Sequence, residues 1–296
     1  MTTPTVTCLC PTYGRLECLR DALACFLLQD YPGKRLLIMN DAAIPIYCDG
    51  LEEVLVINVA ARMQTLGHKR QALLKCAQTD GVAHWDDDDL YLPWHLSSLT
   101  ERLMGAGTGL PDGRDILERG AAAAPDPSGT SHREVGAPPG RDMPAMCVKP
   151  ATAWYATGPR DALQLRGIHR NTFEGQMLFH RQEALDIGGY PPRDSGQAAD
   201  LLCAFRTVGR LDVWEPEPAR ISYVYRWGRP GISNVSARAG RPNDDNDFGF
   251  ADPLIPEGAD PLAWAKARLA PQMQQLAAAI REEHPKAAAR IEEHTT

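Results

Sequence analysis

The chain has 296 residues, 44% of them hydrophobic and 23% charged, with a formal net charge of −7. That length suits one large α/β domain with additions and can bury a substantial core. The acidic balance leaves no electrostatic footprint for non-specific nucleic-acid binding, and no apolar run approaches the ~18–20 residues of a membrane-spanning helix.

Residues 1–10 (MTTPTVTCLC) lack the basic start and long apolar core of a secretion signal, so a cytoplasmic location is expected. The eight cysteines form no CxxC pair, and most sit inside apolar runs. They read as reduced small hydrophobes and not as a disulfide or zinc framework.

In chain order, residues 5–10 (TVTCLC) predict a strand, broken by PTYGR at 11–15. Leu16, Leu19, Leu23, Phe26 and Leu27 recur at spacings of three and four, which predicts an amphipathic helix. RLLIM (35–39) and VLVI (54–57) predict buried strands, and NDAA closes the first of them. Ala72, Leu73, Cys76 and Ala77 mark a helix face, and GVAHW (81–85) predicts a fourth strand running into four aspartates. Leu96, Leu99 and Leu103 begin another helix. Strands alternating with helices imply an α/β unit with a mainly parallel sheet, whose ligands bind beyond the carboxyl ends of the strands. Three of those ends carry special polar residues: PTYGR, ND and DDDD.

Residues 105–143 are rich in Gly, Pro, Ala and Asp and read as a loop-rich insertion. Regular patterning returns from 144 to 255, with a helix expected over 196–209 and strands at LDVW and ISYVYRW. Residues 256–296 are Ala-rich, with Leu269, Met273, Leu276 and Ile280 at helical spacing, and are expected to form a C-terminal helical appendage.

Four adjacent carboxylates, Asp86 to Asp89, repel one another at a strand end and call for positive charge. An exposed helix start is one reading, since carboxylates favour free N–H groups there. A divalent-metal site is the other, because hard Mg²⁺ or Mn²⁺ takes one or two carboxylates and completes its shell with water and phosphate. An EF-hand fits poorly, lacking alternating ligands, a central Gly and a terminal Glu.

Taken together, VTCLCPTYGR, LLIMND and GHKRQALLKCAQTDGVAHWDDDDLYLP, in that order, resemble the family 2 glycosyltransferases. The likeness covers roughly residues 5–104 and resumes at MLFHRQEALDIGGYPP. It implies a GT-A fold: a Rossmann-like, mainly parallel sheet flanked by helices. Residues 1–104 would be the nucleotide-sugar half, and 144–255 the acceptor half. It also implies a nucleotide-diphosphate sugar donor, with UDP favoured, held with Mn²⁺ or Mg²⁺. On that resemblance Pro11, Thr12, Tyr13 and Arg15 would line the base and ribose pocket, and Asp41 would accept a hydrogen bond from the base. Asp86 and Asp87 would lie at the donor, Asp86 on the ribose or a metal-bound water, and Asp88 would ligate the metal, with Asp86 a second candidate ligand to the same ion. Gly67, Lys69 and Arg70, at a predicted helix start, would meet the diphosphate.

Further on, SGQAADLL stands where the family presents Glu-Asp and then Asp-Leu. Asp200 matches the second pair. Gln197 stands at the Glu, and Ala198 stands at the general base. Three explanations follow: residue 198 has been changed to disable the enzyme, the base has moved to Asp194 or Asp200, or the chain binds without turnover. Asn234, before Val235 and Ser236, is a further candidate metal ligand. Arg226 and Trp227 are candidates to pack on donor or acceptor. Trp154, Tyr155 and Glu174 to Gln176 are candidates for the acceptor floor. The acceptor would carry a hydroxyl, whether a saccharide, a small molecule or a modified nucleobase. A nucleotidyltransferase would want a Gly-rich phosphate loop after the first strand, and PTYGR offers one Gly.

Overall fold

The computed structural model describes residues 4–105, 145–158, 162–170, 174–227 and 253–294. Most of the 105–143 insertion and residues 228–252, Asn234 among them, lie outside the described residues. In chain order the elements are β1 (Val6–Thr12), α1 (Leu16–Leu27), β2 (Lys34–Asn40), β3 (Val54–Asn58), α2 (Leu66–Cys76), β4 (Gly81–His84), β5 (Leu90–Tyr91) and α3 (His95–Gly105). Then come β6 (Cys147–Pro150), β7 (Thr152–Thr157), β8 (Gln164–Arg170), a 3-10 turn at Glu174–Gln176, β9 (Leu178–His180), α4 (Arg181–Asp186), α5 (Gln197–Thr207), β10 (Leu211–Trp214), β11 (Tyr223–Trp227), α6 (Pro261–Ile280) and α7 (Pro285–Glu293).

Among the described residues, seven strands form the central sheet in the order β10-β6-β9-β4-β1-β2-β3. Within it β9 alone runs antiparallel to its neighbours. A side sheet has the order β5-β11-β7-β8. The fold is thus the expected α/β arrangement of a mainly parallel sheet flanked by helices. Alternation along each strand divides the core. Cys8, Cys10, Leu36 and Ile38 face α1 and α6, whereas Leu9, Leu37 and Met39 face the layer built from α2 and α5. That two-sided burial explains why these strands read as continuous apolar runs.

The helical C-terminal end is built into this core. Leu269, Met273, Leu276 and Ile280 of α6 are buried in the same cluster as Leu19 and Leu23 of α1. The predicted appendage is therefore one wall of the main core. The eight cysteines are all free; Cys8, Cys10, Cys18, Cys25 and Cys147 are buried, whereas Cys76 and Cys203 are exposed.

Between the two sheets lies an aromatic cluster. Trp85 stacks on Tyr91 at 3.8 Å, and His95 meets both edge-on at 6.0 and 5.0 Å. His95 Nδ1 shares a hydrogen bond of 2.9 Å with the Ser222 hydroxyl. Burial pushes the His95 pKa down to about 3. The fold therefore needs the neutral ring, and the unfolded chain takes up the proton first as pH falls. Stability from this group is complete above its ordinary value of 6.5 and is lost progressively towards 3. Between about pH 7.5 and 5 the expected loss is ~2 kcal/mol. Urea unfolding at the two pH values checks it. His95→Phe should flatten the dependence by about that amount, and an unchanged slope would contradict it.

Candidate functional site

The parallel strands β1, β2 and β4 end along one edge of the sheet, above a cavity of about 750 Å³. Pro11, Thr12, Tyr13 and Arg15 come from the end of β1, Asp41 from the end of β2, and Asp86, Asp88 and Asp89 from the segment after β4. Lys69 and Arg70 of α2 close one side, and residues 194–199 at the start of α5 close another.

The chain itself supplies part of the positive charge that the aspartates call for. Arg70 Nη2 donates to Asp86 Oδ1 at 2.5 Å, and His84 Nε2 lies 3.3 Å from the same oxygen. Burial opposes the Asp86 charge, but Arg70 and then His84 hold its pKa well below the usual carboxylate range. Asp87 is buried and accepts from the Thr12 hydroxyl at 2.7 Å, from Arg15 Nε at 3.2 Å and from Arg15 Nη2. Burial nonetheless pushes its pKa up to about 6. Arg15 Nη1 reaches on to Asp88 Oδ2 at 2.8 Å. Asp89 is buried; it accepts from the Tyr223 hydroxyl and, at 3.0 Å, from the Arg226 backbone N–H. Burial and the neighbouring Asp88 charge raise its pKa. The four carboxylates are therefore unlike one another. Asp87 and Asp89 are internal braces, whereas the Asp86 and Asp88 side chains remain 22% and 20% exposed.

Asp41 lines the cavity with both oxygens engaged. Oδ1 pairs with Lys69, and Oδ2 accepts the Met63 N–H at 2.9 Å. Lys69 also donates to the Thr12 carbonyl at 2.8 Å. Burial draws the Lys69 pKa down, against the pull of Asp41. Both predicted cations of α2 are thus neutralised by carboxylates within the cavity wall.

The expected diphosphate cradle at the start of α2 is filled by protein. The Leu66 N–H donates to Asp194 Oδ1 at 3.1 Å, the Gly67 N–H to the Arg193 carbonyl at 3.0 Å, and the His68 N–H to the Thr65 hydroxyl at 3.2 Å. Gly67 does not line the cavity. It lets α2 pass so close to Pro191 that an added Cβ would strike the Pro191 carbonyl oxygen. Its absent side chain serves backbone packing and not phosphate approach.

Ala198 lines the cavity at the start of α5 and presents a methyl group. Asp194 lines it too, braced by the Leu66 N–H. Asp200 pairs with Arg193 and is not part of the lining. Trp154 departs from its expected place: it is 1% exposed and packs beside His284, away from the cavity. Tyr155 and Glu174 do line it, and Gln176 is buried with its Nε2 donating to the Pro150 carbonyl at 3.1 Å. Arg226 reaches the cavity wall from inside the core. The side chain of Trp227 is outside the described residues.

Tyr223, Tyr225 and Arg62 are among the lining residues that escaped the sequence reading. Tyr223 and Tyr225 both face the cavity from β11, and the alternation in YVYRW was a usable signal for them. Arg62 also lines the cavity, its Cζ 4.3 Å from the centre of the Tyr13 ring, and only its place before α2 hinted at it. Among the described residues, no three His, Cys, Asp or Glu side chains converge as a ready metal shell. No helix among them is long and apolar enough to cross a membrane.

No protein-family model matches the chain, and no curated protein matches it. Solved structures do. S. aureus TarS 1–349 in complex with UDP-GlcNAc aligns with a TM-score of 0.50 at 11% identity, over 98% of this chain and 80% of that one. A longer S. aureus TarS structure aligns at 0.46 and 11% identity over 75% of this chain, which spans only 37% of its length. Mannosyltransferase PcManGT from Pyrobaculum calidifontis, in complex with GDP-Man and Mn²⁺, aligns at 0.44 and 16% identity over 99% of this chain and 86% of that one. At such identities the likeness to TarS 1–349 is one of fold: a flanked, mainly parallel sheet.

Proposed function

We propose that the chain is a nucleotide-sugar transferase of the GT-A type, related to the family 2 glycosyltransferases. It moves a sugar with inversion from a nucleotide-diphosphate donor, a UDP-sugar above all, to a hydroxyl acceptor. The observation that carries the reading is the division of labour among the aspartates. Asp87 and Asp89 are buried as braces, and Asp86 and Asp88 keep partly exposed side chains in a cavity at the carboxyl edge of a parallel sheet. The fold shared with a UDP-GlcNAc-bound protein supports the donor class.

Asp88 and Asp86 suit a hard cation of the Mn²⁺ or Mg²⁺ kind, which needs only one or two protein carboxylates. Bound there, such an ion would neutralise charge on the departing diphosphate. Thr12, Tyr13 and Asp41 would hold the base and ribose. Arg15 and Arg70, now on the aspartates, lie where they can share the donor's negative charge. Asp194 and Asp200 were candidate bases; the brace on Asp194 and the position of Asp200 outside the lining make neither well placed. A second reading, a nucleotide-sugar binder without turnover, draws on the Ala198 methyl.

Calorimetric titration with UDP, with and without Mn²⁺, tests the reading. UDP should bind in the presence of Mn²⁺ and lose about tenfold or more in affinity without it, equivalent to ~1.4 kcal/mol. No UDP binding under either condition would sink it.

A further inference from the structure

An inverting transfer needs a group to take the acceptor proton, and a methyl at 198 cannot. Most carboxylates around the cavity already hold protein donors. Asp41 holds Lys69 and the Met63 N–H; Asp86 holds Arg70; Asp88 holds Arg15; Asp89 holds Tyr223; Asp194 holds the Leu66 N–H. Glu174 is different. It lines the cavity half-buried, and among the described residues its carboxylate has neither an ion pair nor a hydrogen bond. The buried Lys149 feels its charge.

Its position is also informative. The 3-10 turn Glu174–Gln176 packs against β4 and against α5, the helix that carries Ala198. A Cβ on the adjoining Gly175 would stand 3.4 Å from Asp86 Oδ2 and would strike the Tyr223 hydroxyl. The turn that carries Glu174 therefore touches both the strand that leads into the aspartates and the helix that carries Ala198. A second observation marks the same wall. Gln197 is 4% exposed, lines the cavity, and its buried Oε1 has no hydrogen-bond partner. An unpaired buried carbonyl is costly, and a turn of the Gln197 amide towards the cavity would let a ligand hydroxyl satisfy it.

We propose that Glu174 is the general base of the transfer, with Gln197 holding the acceptor hydroxyl beside it; this rests on the transferase reading above. The acceptor O–H proton passes to the Glu174 carboxylate while the oxygen's electron pair forms a bond to the anomeric carbon. The bond from that carbon to the diphosphate oxygen breaks, and its electron pair leaves with the nucleoside diphosphate. Glu174 then returns the proton to solvent.

The test is UDP release from UDP-GlcNAc with Mn²⁺ and water as acceptor, with UDP affinity measured alongside. Glu174→Gln should slow release about 10²–10³-fold while UDP affinity stays within about twofold, and formate should restore part of the rate to Glu174→Ala. Asp194→Asn and Asp200→Asn should keep most of the rate. Release at the wild-type rate from Glu174→Gln would overturn the base and leave the transferase standing. Lost UDP affinity in that variant would assign Glu174 to donor binding and overturn the base equally. A wild-type chain that binds UDP without releasing it from UDP-GlcNAc, UDP-glucose or UDP-galactose would favour the binder and remove the base. One that does not bind UDP at all would bring down both proposals.

Discussion

Arg226→Leu should destabilise the fold by about 3 kcal/mol, near the lower end of what removing one partner from a buried ion pair costs. The side chain is 2% exposed and joins three separate parts of the chain. Its Nη1 donates to Asp21 Oδ2 of α1 and to Gln272 Oε1 of α6, each at 3.1 Å, and its Nε donates to the Asp88 carbonyl at 2.5 Å. Leucine would take the Arg226 cation away from the fully buried Asp21 carboxylate. Arg268, whose Nε lies 2.7 Å from Asp21 Oδ1, would remain, which keeps the expected loss from being larger. Arg226→Lys would keep the charge but lose the fork, so about half the loss is expected. Urea unfolding followed by circular dichroism measures both. A change under about 0.5 kcal/mol for the leucine variant would mean that solvent or a neighbour replaces the guanidinium.

That network shows where sequence reading stops. The strands β1, β2 and β4 were legible because burial on both faces leaves unbroken apolar runs, whereas β3, expected to be buried, is the sheet's edge strand with Leu55 exposed. The convergence of PTYGR, ND and DDDD on one edge followed from parallel topology. The short strands β5 and β9 carried too few residues for any period to show, and β8, half exposed, hid the side sheet. Pairings across long separations were equally hidden. Tyr223 braces Asp89 from 134 positions away, and Arg226 meets Asp21 across 205. Gly67 misled for a physical reason. A glycine at a helix start suits both an approaching phosphate and a backbone passing close by, and composition does not choose between them. The resemblance singled out Asp86 and Asp88 among the four aspartates, but only burial and the placing of Arg15, Arg70 and Tyr223 show what Asp87 and Asp89 do as braces.

The same separation gives the second large effect. Asp88→Ala should abolish the Mn²⁺-dependent part of UDP affinity and slow sugar transfer about 10²–10³-fold, the scale for losing one charge-stabilising contact in a closed site. The side chain is 20% exposed, and Arg15 Nη1 holds it at 2.8 Å. Alanine would remove the proposed oxygen ligand together with the Arg15–Asp88 pair, while the Arg15–Asp87 pair stays. Asp87→Asn is the informative contrast. Asp87 is 1% exposed and accepts from both Thr12 and Arg15, so its amide should weaken the fold around β1 while metal-dependent UDP binding persists in the folded fraction. Titrating each variant with UDP, with and without Mn²⁺, separates the two roles. Metal-dependent binding that survives Asp88→Ala would move the ligand assignment to Asp86, whose side chain is the other partly exposed carboxylate at that strand end.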